Sequence, residues 1–375
     1  MPLFLNEDQT ILQDTIRDFV AEAAPVSHMR RLRDADDPAG FSRDLWKRFA
    51  EMGFTGILIG EDLGGLGMGH AEAGIVLEEI GRNLSPSPFL TTAVAAVEAL
   101  RGSPHADRWF PGIVAGDTVA ALAIDDGPKH RDIVALKAER SGNGFRLSGG
   151  KRFVAHGHVA DLLIVAARTS GSPDDSGGIT LFAVPRDTPN LMATPDRLAD
   201  ASVSASVTFD NVQLDADAVI GEVDDGRAGL DRMLRAGRIG ASAEMLGVGG
   251  GAMDRTLGYL KERKQFGTLI GSFQALQHRA AHLYSEMEVA RAAVLKAQQL
   301  LDTGSDQADA AVSVAKAMTA MATTLSVQEG VQMHGGIGMT DEYDIGFYMK
   351  RARVLAELWG DANYHADRLA VAAGY

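Results

Sequence analysis

The sequence predicts an α+β multidomain protein: an N-terminal α-helical domain, a middle antiparallel β-barrel domain and a C-terminal four-helix bundle. Three observations carry this prediction. Apolar residues recur at helical spacing early in the chain, short apolar or alternating runs bounded by turn residues fill the middle, and long Ala/Leu/Met-rich segments return with helical period to the end. At 375 residues the chain is too long for one ordinary core. The boundaries fall at 1–117, 118–222 and 223–375.

Ile11, Leu12, Ile16, Phe19 and Val20 stack on one face of a first helix, with Glu7, Asp8, Asp14 and Asp18 on other faces. Further helices fit 41–52 and 70–82. Between them lies a glycine-rich stretch at 60–69; a dinucleotide loop needs a preceding strand and a βαβ unit, which the helical surroundings do not supply. The β segments are VAALAI, FRLSGGKRFVAHG, DLLIVAA, ITLFAVP and SVTFDNVQL, separated by turns such as Ser141–Gly144 and Ser172–Gly178. Four long helices are expected at 226–264, 272–302, 306–334 and 345–372.

Composition excludes several classes. With no cysteine there is no disulfide framework, thiolate nucleophile or Cys-based metal site. The net charge of -14 argues against a general nucleic-acid binder, and no His pair has both the spacing and the acidic companion of a zinc helix. The first ten residues lack the basic start and apolar run of a signal peptide, so a soluble cytoplasmic protein without a membrane partner is expected. Residues 1–222 carry 20 basic and 32 acidic side chains, and 223–375 carry 16 and 18, so nearly all the acid excess precedes the bundle. The bundle is therefore the better place for an anionic ligand.

Three motifs sharpen the reading: Glu262-Arg-Lys-Gln-Phe-Gly267 followed by Ile270-Gly-Ser-Phe-Gln-Ala-Leu-Gln-His278; Gln332-Met-His-Gly-Gly-Ile-Gly338; and Phe209-Asp-Asn-Val-Gln-Leu214 running on to Val-Ile-Gly-Glu222. With Gly64-Gly-Leu-Gly67, their order and separations resemble the acyl-CoA dehydrogenase family along essentially the whole chain. The chemistry of the residues agrees: a guanidinium fork pairs with phosphate oxygens, an aromatic face suits a flat heterocycle, and paired glycines let a cofactor approach the backbone. The resemblance implies FAD as cofactor, contacted by Arg263, Phe266, Gln274, Gln332, Gly335 and Gly336 on behalf of a neighbouring subunit, with Phe153 and Ala155 on the chain's own flavin side. It further implies an acyl-CoA substrate, α,β-dehydrogenation, a tetramer and an electron-transferring flavoprotein as electron acceptor.

The sequence departs from the family where the base belongs. An ungapped alignment from Gly338 through Arg353 puts Trp359-Gly360-Asp361 at the family's Glu-Gly-Thr triplet, so an indole replaces the carboxylate. Some members carry Glu directly before a preserved Arg on an earlier bundle helix; that Arg corresponds to Arg238, assigned to the substrate side, and Gly237 precedes it. The family's Thr-Glu-Pro is Ile124-Asp125-Asp126 here, and its Trp-x-Thr is Phe153-Val154-Ala155. His156 and His334 fall beside the expected cofactor, and Tyr364 and His365 are expected at the surface or an interface.

A chain that keeps what it lends but has lost its own base reads as one subunit of a heteromeric, heterotetrameric enzyme whose homologous partner carries the Glu. Two alternatives stand beside it: a self-sufficient homotetramer using Glu244 or Asp361 as base, and a non-catalytic scaffold subunit. Glu244 lies seven residues after Gly237, on a similar helical face but about 10 Å along the axis.

Overall fold

The computed structural model describes residues 3–375. In chain order the helices are α1 (Glu7–Ala23), α2 (Val26–Asp34), α3 (Arg43–Glu51), α4 (His70–Arg82), α5 (Val97–Leu100, continuing a π-helix over Leu90–Ala96), α6 (His105–Val114), α7 (Arg227–Glu262), α8 (Gln274–Asp302), α9 (Ala308–His334), α10 (Ile345–Glu357) and α11 (Ala362–Ala372). The strands are β1 (Ala120–Ala123), β2 (Lys137–Ser141), β3 (Gly144–Lys151), β4 (Leu162–Arg168), β5 (Ile179–Pro185), β6 (Leu191–Arg197), β7 (Val203–Leu214) and β8 (Val219–Ile220), with a small hairpin of β9 (Lys264–Gln265) and β10 (Thr268–Leu269). Packing divides the chain into two compact units, one of residues up to 34, 70–86 and 238–375, the other of 35–69 and 87–237.

The second unit is built on an eight-stranded sheet in the order β6-β7-β3-β2-β4-β5-β8, with β1 beside β4. Most pairings are antiparallel; β1 runs parallel to β4, and β2 meets β4 in parallel through Lys137 and Arg168. Its core is a cluster that includes Phe145, Phe182, Phe209, Leu163 and Val165. Two strands escape the sequence pattern for physical reasons. Pro195 lies in β6, a sheet-edge position where a missing N–H costs no ladder bond, and β2 is mostly charged and exposed. The expected run through FVAHG ends instead at Lys151, because Phe153 and His156 take left-handed backbone conformations, φ 51° and 60°.

The glycine-rich loop at 60–69 closes on itself. The amides of Gly65, Leu66, Gly67 and Met68 donate to the carbonyls of Gly60, Gly56, Ile59 and Ile57 at 2.8–3.1 Å. Those N–H groups are spent, so the loop offers no phosphate cradle.

In the first unit α1 starts at a capping box between Asn6 and Gln9, and Ile16 and Val20 point inward while Ile11 remains exposed. The expected fourth helix of the bundle is two helices, α10 and α11, broken at 358–361. Trp359 (φ 55°) and Gly360 (φ 115°) cannot continue a right-handed helix, and the Asp361 side chain accepts from the Tyr364 amide to cap α11. By length and composition α9 is apolar enough to cross a membrane, yet most of it is buried by its neighbours.

Helices α4 and α7 meet through glycine. A Cβ added to Gly81 would lie 2.1 Å from the Glu244 carbonyl oxygen, and one added to Gly247 would lie 1.8 Å from that of Glu78. Both obstacles are backbone and cannot swing away. Gly247→Ala is therefore expected to cost about 1–3 kcal/mol, the usual range for overpacking, and to lower the melting temperature in a thermal unfolding experiment.

Candidate functional site

The residues around the β9–β10 hairpin and the turn after α9 form an open face of the first unit. Arg263 is exposed, and among the described residues its guanidinium has no hydrogen bond or ion pair. Phe266 is 93% exposed and held at φ 53°, with Phe273 edge-on at 6.3 Å. Gln274 and Gln332 are exposed, and an added Cβ at Gly335 (φ 65°) or Gly336 would meet nothing within 4 Å. A helical Arg usually pairs with a neighbouring acid and a lone Phe usually joins a core; neither does so here. An unpaired cation, an exposed ring and bare backbone suit the diphosphate and adenine of a dinucleotide. Next to this face His334 is buried, its Nδ1 2.7 Å from the Gly330 carbonyl and its ring stacked on Tyr259 at 4.5 Å, so it supports the turn from inside.

A cavity of about 390 Å³ in the same unit offers a contrast. It is lined by Arg17, Arg82 and Arg291, but these pair with Glu79 at 3.1 Å, Asp254 at 2.5 Å and Glu78 at 2.6 Å. Burial alone would raise the Glu78 carboxyl; Arg291, with Arg82 and Arg17, outweighs it and holds the group below the usual carboxylate range. Its cations are already neutralised, so the cavity has no claim on an anionic ligand.

In the second unit the segment matching the family's Thr-Glu-Pro is tied up internally. Ile124 is buried, Asp125 lies 2.7 Å from His130 Nδ1, and Asp126 pairs with the fully buried Lys151 at 2.9 Å while accepting from the Ala135 amide at 2.8 Å. This stretch presents no hydroxyl, and its carboxylates are spent on the loop. Phe153 is partly exposed, Ala155 is half-buried, and His156 Nδ1 lies 3.3 Å from Thr91 Oγ1.

The position at which the sequence pattern leads one to expect the base is filled from within. Trp359 is only 4% exposed. Its carbonyl accepts from Arg238 Nε at 2.9 Å, and Arg238 Nη2 donates to the Tyr364 hydroxyl at 3.0 Å with the guanidinium over the Tyr364 ring. Arg238, expected on the substrate side, is thus buried and engaged by its own chain. Of the two residues expected at the surface or an interface, His365 is fully buried within its own chain and Tyr364 is half-buried against Arg238, since a buried guanidinium must be enclosed by acceptors and ring faces. Sequence inspection missed Lys316, also fully buried, whose Nζ donates to the carbonyls of Leu355, Ala356 and Gly360. A lysine inside an otherwise apolar helical stretch was the available signal.

The remaining carboxylates are engaged as well. Glu244 is buried and accepts from Arg351 Nε at 2.9 Å and Nη2 at 2.6 Å. Asp361 caps α11. Gly237 has no side chain to offer.

Comparison with known proteins places this geometry. The models for the acyl-CoA dehydrogenase N-terminal, middle and C-terminal domains match residues 6–117, 125–212 and 224–374. Acyl-CoA dehydrogenase FadE12 of Mycobacterium tuberculosis is 30% identical over 358 residues, covering 93% of this chain and 91% of its own. Acyl-CoA dehydrogenase IpdE2 of Mycolicibacterium smegmatis is 29% identical, covering 97% and 98%. Among solved structures, a Tcur3481-Tcur3483 steroid ACAD variant is 30% identical with a TM-score of 0.88 over 98% of both chains. The ChsE4-ChsE5 complex from Mycobacterium tuberculosis is 27% identical with a TM-score of 0.90 over 100% of both. The chain belongs to the acyl-CoA dehydrogenase family, FAD-dependent oxidoreductases acting on CH–CH bonds.

Since Glu244 is held by Arg351, Arg351→Met strands a buried carboxylate and is expected to cost about 3 kcal/mol in chemical denaturation, as breaking a buried pair does. Glu244→Gln is expected to change turnover of the assembled enzyme only in proportion to the folded protein remaining. Complete loss of turnover with stability and flavin retained would instead make Glu244 the base.

Proposed function

We propose that this chain is the base-lacking subunit of a heteromeric acyl-CoA dehydrogenase. It lends its open face to FAD shared with a homologous subunit, and that subunit supplies the catalytic Glu. One observation carries the reading: the position expected for the base holds a buried indole and the nearby carboxylates are engaged, while the Arg263 guanidinium is exposed without a hydrogen bond or ion pair and Phe266 is exposed beside it in sequence. α,β-Dehydrogenation of an acyl-CoA thioester needs a base for the α-proton, a contribution of about a hundred- to ten-thousandfold. An indole accepts no proton at neutral pH, so a paired subunit is the economical source. FAD, when bound, supplies the acceptor for the hydride leaving the β-carbon.

The residues of this chain that would hold FAD are Arg263 toward the diphosphate, Phe266 against the adenine, the Gln274 and Gln332 amides as donors, and the bare backbone at Gly335 and Gly336. Phe153 and Ala155 keep an apolar border on the chain's own flavin side, but the family's hydroxyls are absent there. Relatives known as complexes of two named chains, ChsE4-ChsE5 and Tcur3481-Tcur3483, support pairing with a non-identical subunit. Within this reading the protein is cytoplasmic, and an electron-transferring flavoprotein takes the electrons onward.

Purified alone, the chain is expected to retain little FAD and to reduce no dye with acyl-CoA; purified with a family member carrying the Glu, it is expected to do both. Full activity of the isolated chain would refute the pairing. In the complex, Arg263→Ala is expected to weaken flavin retention about tenfold or more, matching a charged hydrogen bond of about 1.5–3 kcal/mol. Unchanged flavin content and activity in that variant would leave this chain the role of a scaffold.

A further inference from the structure

The cavity beside α1 has no part in the chemistry proposed above, yet its wall is specific. About 390 Å³ in volume, it lies wholly within the first unit, between α1 and the residues just before it, α4, α7 and α8. Leu5, Ile75, Leu246, Val294 and Leu295 make much of the wall apolar. The volume falls in the ordinary range of sites that take small molecules, about 300–1,000 Å³.

Two features of the wall select what can enter. Its charges are balanced inside the protein: Arg291 with Glu78 at 2.6 Å and Glu288 at 3.3 Å, Arg17 with Glu79 at 3.1 Å, Arg82 with Asp254 at 2.5 Å and Glu78 at 3.3 Å. A charged guest would leave water without gaining a free counter-ion, which disfavours either sign. The second feature is Gln298. It is only 4% exposed, and among the described residues its amide makes no hydrogen bond. That amide is not sealed off by protein atoms, so it faces the cavity the residue lines. Gly74 on the facing helix α4 makes room for it: a Cβ there would lie 1.9 Å from the Gln298 amide nitrogen. Gln13 of α1, half-buried in the same wall, also has no hydrogen bond among the described residues. A buried amide without a partner forgoes what a hydrogen bond returns, and a guest bearing one polar group restores it.

We propose that this cavity is a binding site for an uncharged apolar molecule carrying one hydroxyl, carbonyl or amide group. The Gln298 amide meets the polar group as donor or acceptor, and the apolar body lies against Ile75, Leu246 and Val294. The paired arginines and glutamates keep ions out. The site shares no residue with the face that carries Arg263 and Phe266, and it stands whichever subunit supplies the base.

Isothermal titration calorimetry of the full chain in its assembled form tests this, with an acyl-CoA present in excess to occupy the substrate site. Three probes of one chain length are compared: n-octanol, octanoate and octylammonium. The alcohol is expected to bind saturably at one site per chain, and each ion at least about tenfold more weakly. Gln298→Leu keeps the bulk and removes the amide; it is expected to weaken n-octanol binding about three- to tenfold, the loss of one hydrogen bond, and to leave turnover unchanged. Val294→Trp fills the space and is expected to abolish binding. Should that variant fail to fold, the probe series and Gln298→Leu still decide. Non-saturable uptake of n-octanol overturns the proposal. So does octanoate or octylammonium binding as tightly as the alcohol, or an unchanged n-octanol affinity in Gln298→Leu.

Discussion

Two buried cations set the terms for the end of the bundle. Arg238 on α7 and Lys316 on α9 are both sealed from water, and both donate to backbone carbonyls of the turn between α10 and α11 or the helix end before it. Buried charge must be met by dipoles, and backbone carbonyls at 355–360 meet it. The break between α10 and α11, the left-handed conformation of Trp359 and the cap at Asp361 are the shape the chain takes in turning those carbonyls inward. A bulky residue at positive φ carries a cost of about 1–3 kcal/mol and persists only where its surroundings over-determine it.

The same constraint underlies the proposal that this chain works beside a second subunit. At the position expected for the base, the side chains described above are held inside the chain: Arg238 by Trp359 and Tyr364, Glu244 by Arg351, Asp361 by the Tyr364 amide. On the open face the reverse holds, with Arg263, Phe266 and the bare glycines all turned outward. Groups satisfied from within hold shape; groups left unsatisfied at the surface are those with something to give a ligand or a neighbour. Two aromatic residues at positive φ, Phe266 and Trp359, fall at these same places, where local rules give way to tertiary demands.

Much of this was legible beforehand. Helical period located α1, α3, α4 and the long bundle helices to within a few residues, since long amphipathic segments advertise which side is dry. Strands β1, β4, β5 and β7 announced themselves as apolar or alternating runs. Strand β6, carrying Pro195, and the charged β2 did not, because an edge or an exposed strand needs little apolar pattern. The break at 358–361 was written in Trp-Gly-Asp, a glycine followed by a cap residue, but the helical period on both sides hid it. Lys316 passed unnoticed for a related reason: one lysine in an apolar helix reads as a solvent-facing residue until the neighbouring helices are in place.

By itself the sequence determined the family and the helix–sheet–helix order, and it carried the departures from the family pattern at Trp359 and Gly237. These are statements about residue identity and spacing, which a linear chain carries in full. Only the tertiary structure decided which groups remain free to act. Arg238 lies within α7 and Arg263 directly follows its last residue, yet one is enclosed against Trp359 and Tyr364 while the other stands open to solvent. The availability of a charge depends on what folds against it, and those neighbours come from distant parts of the chain.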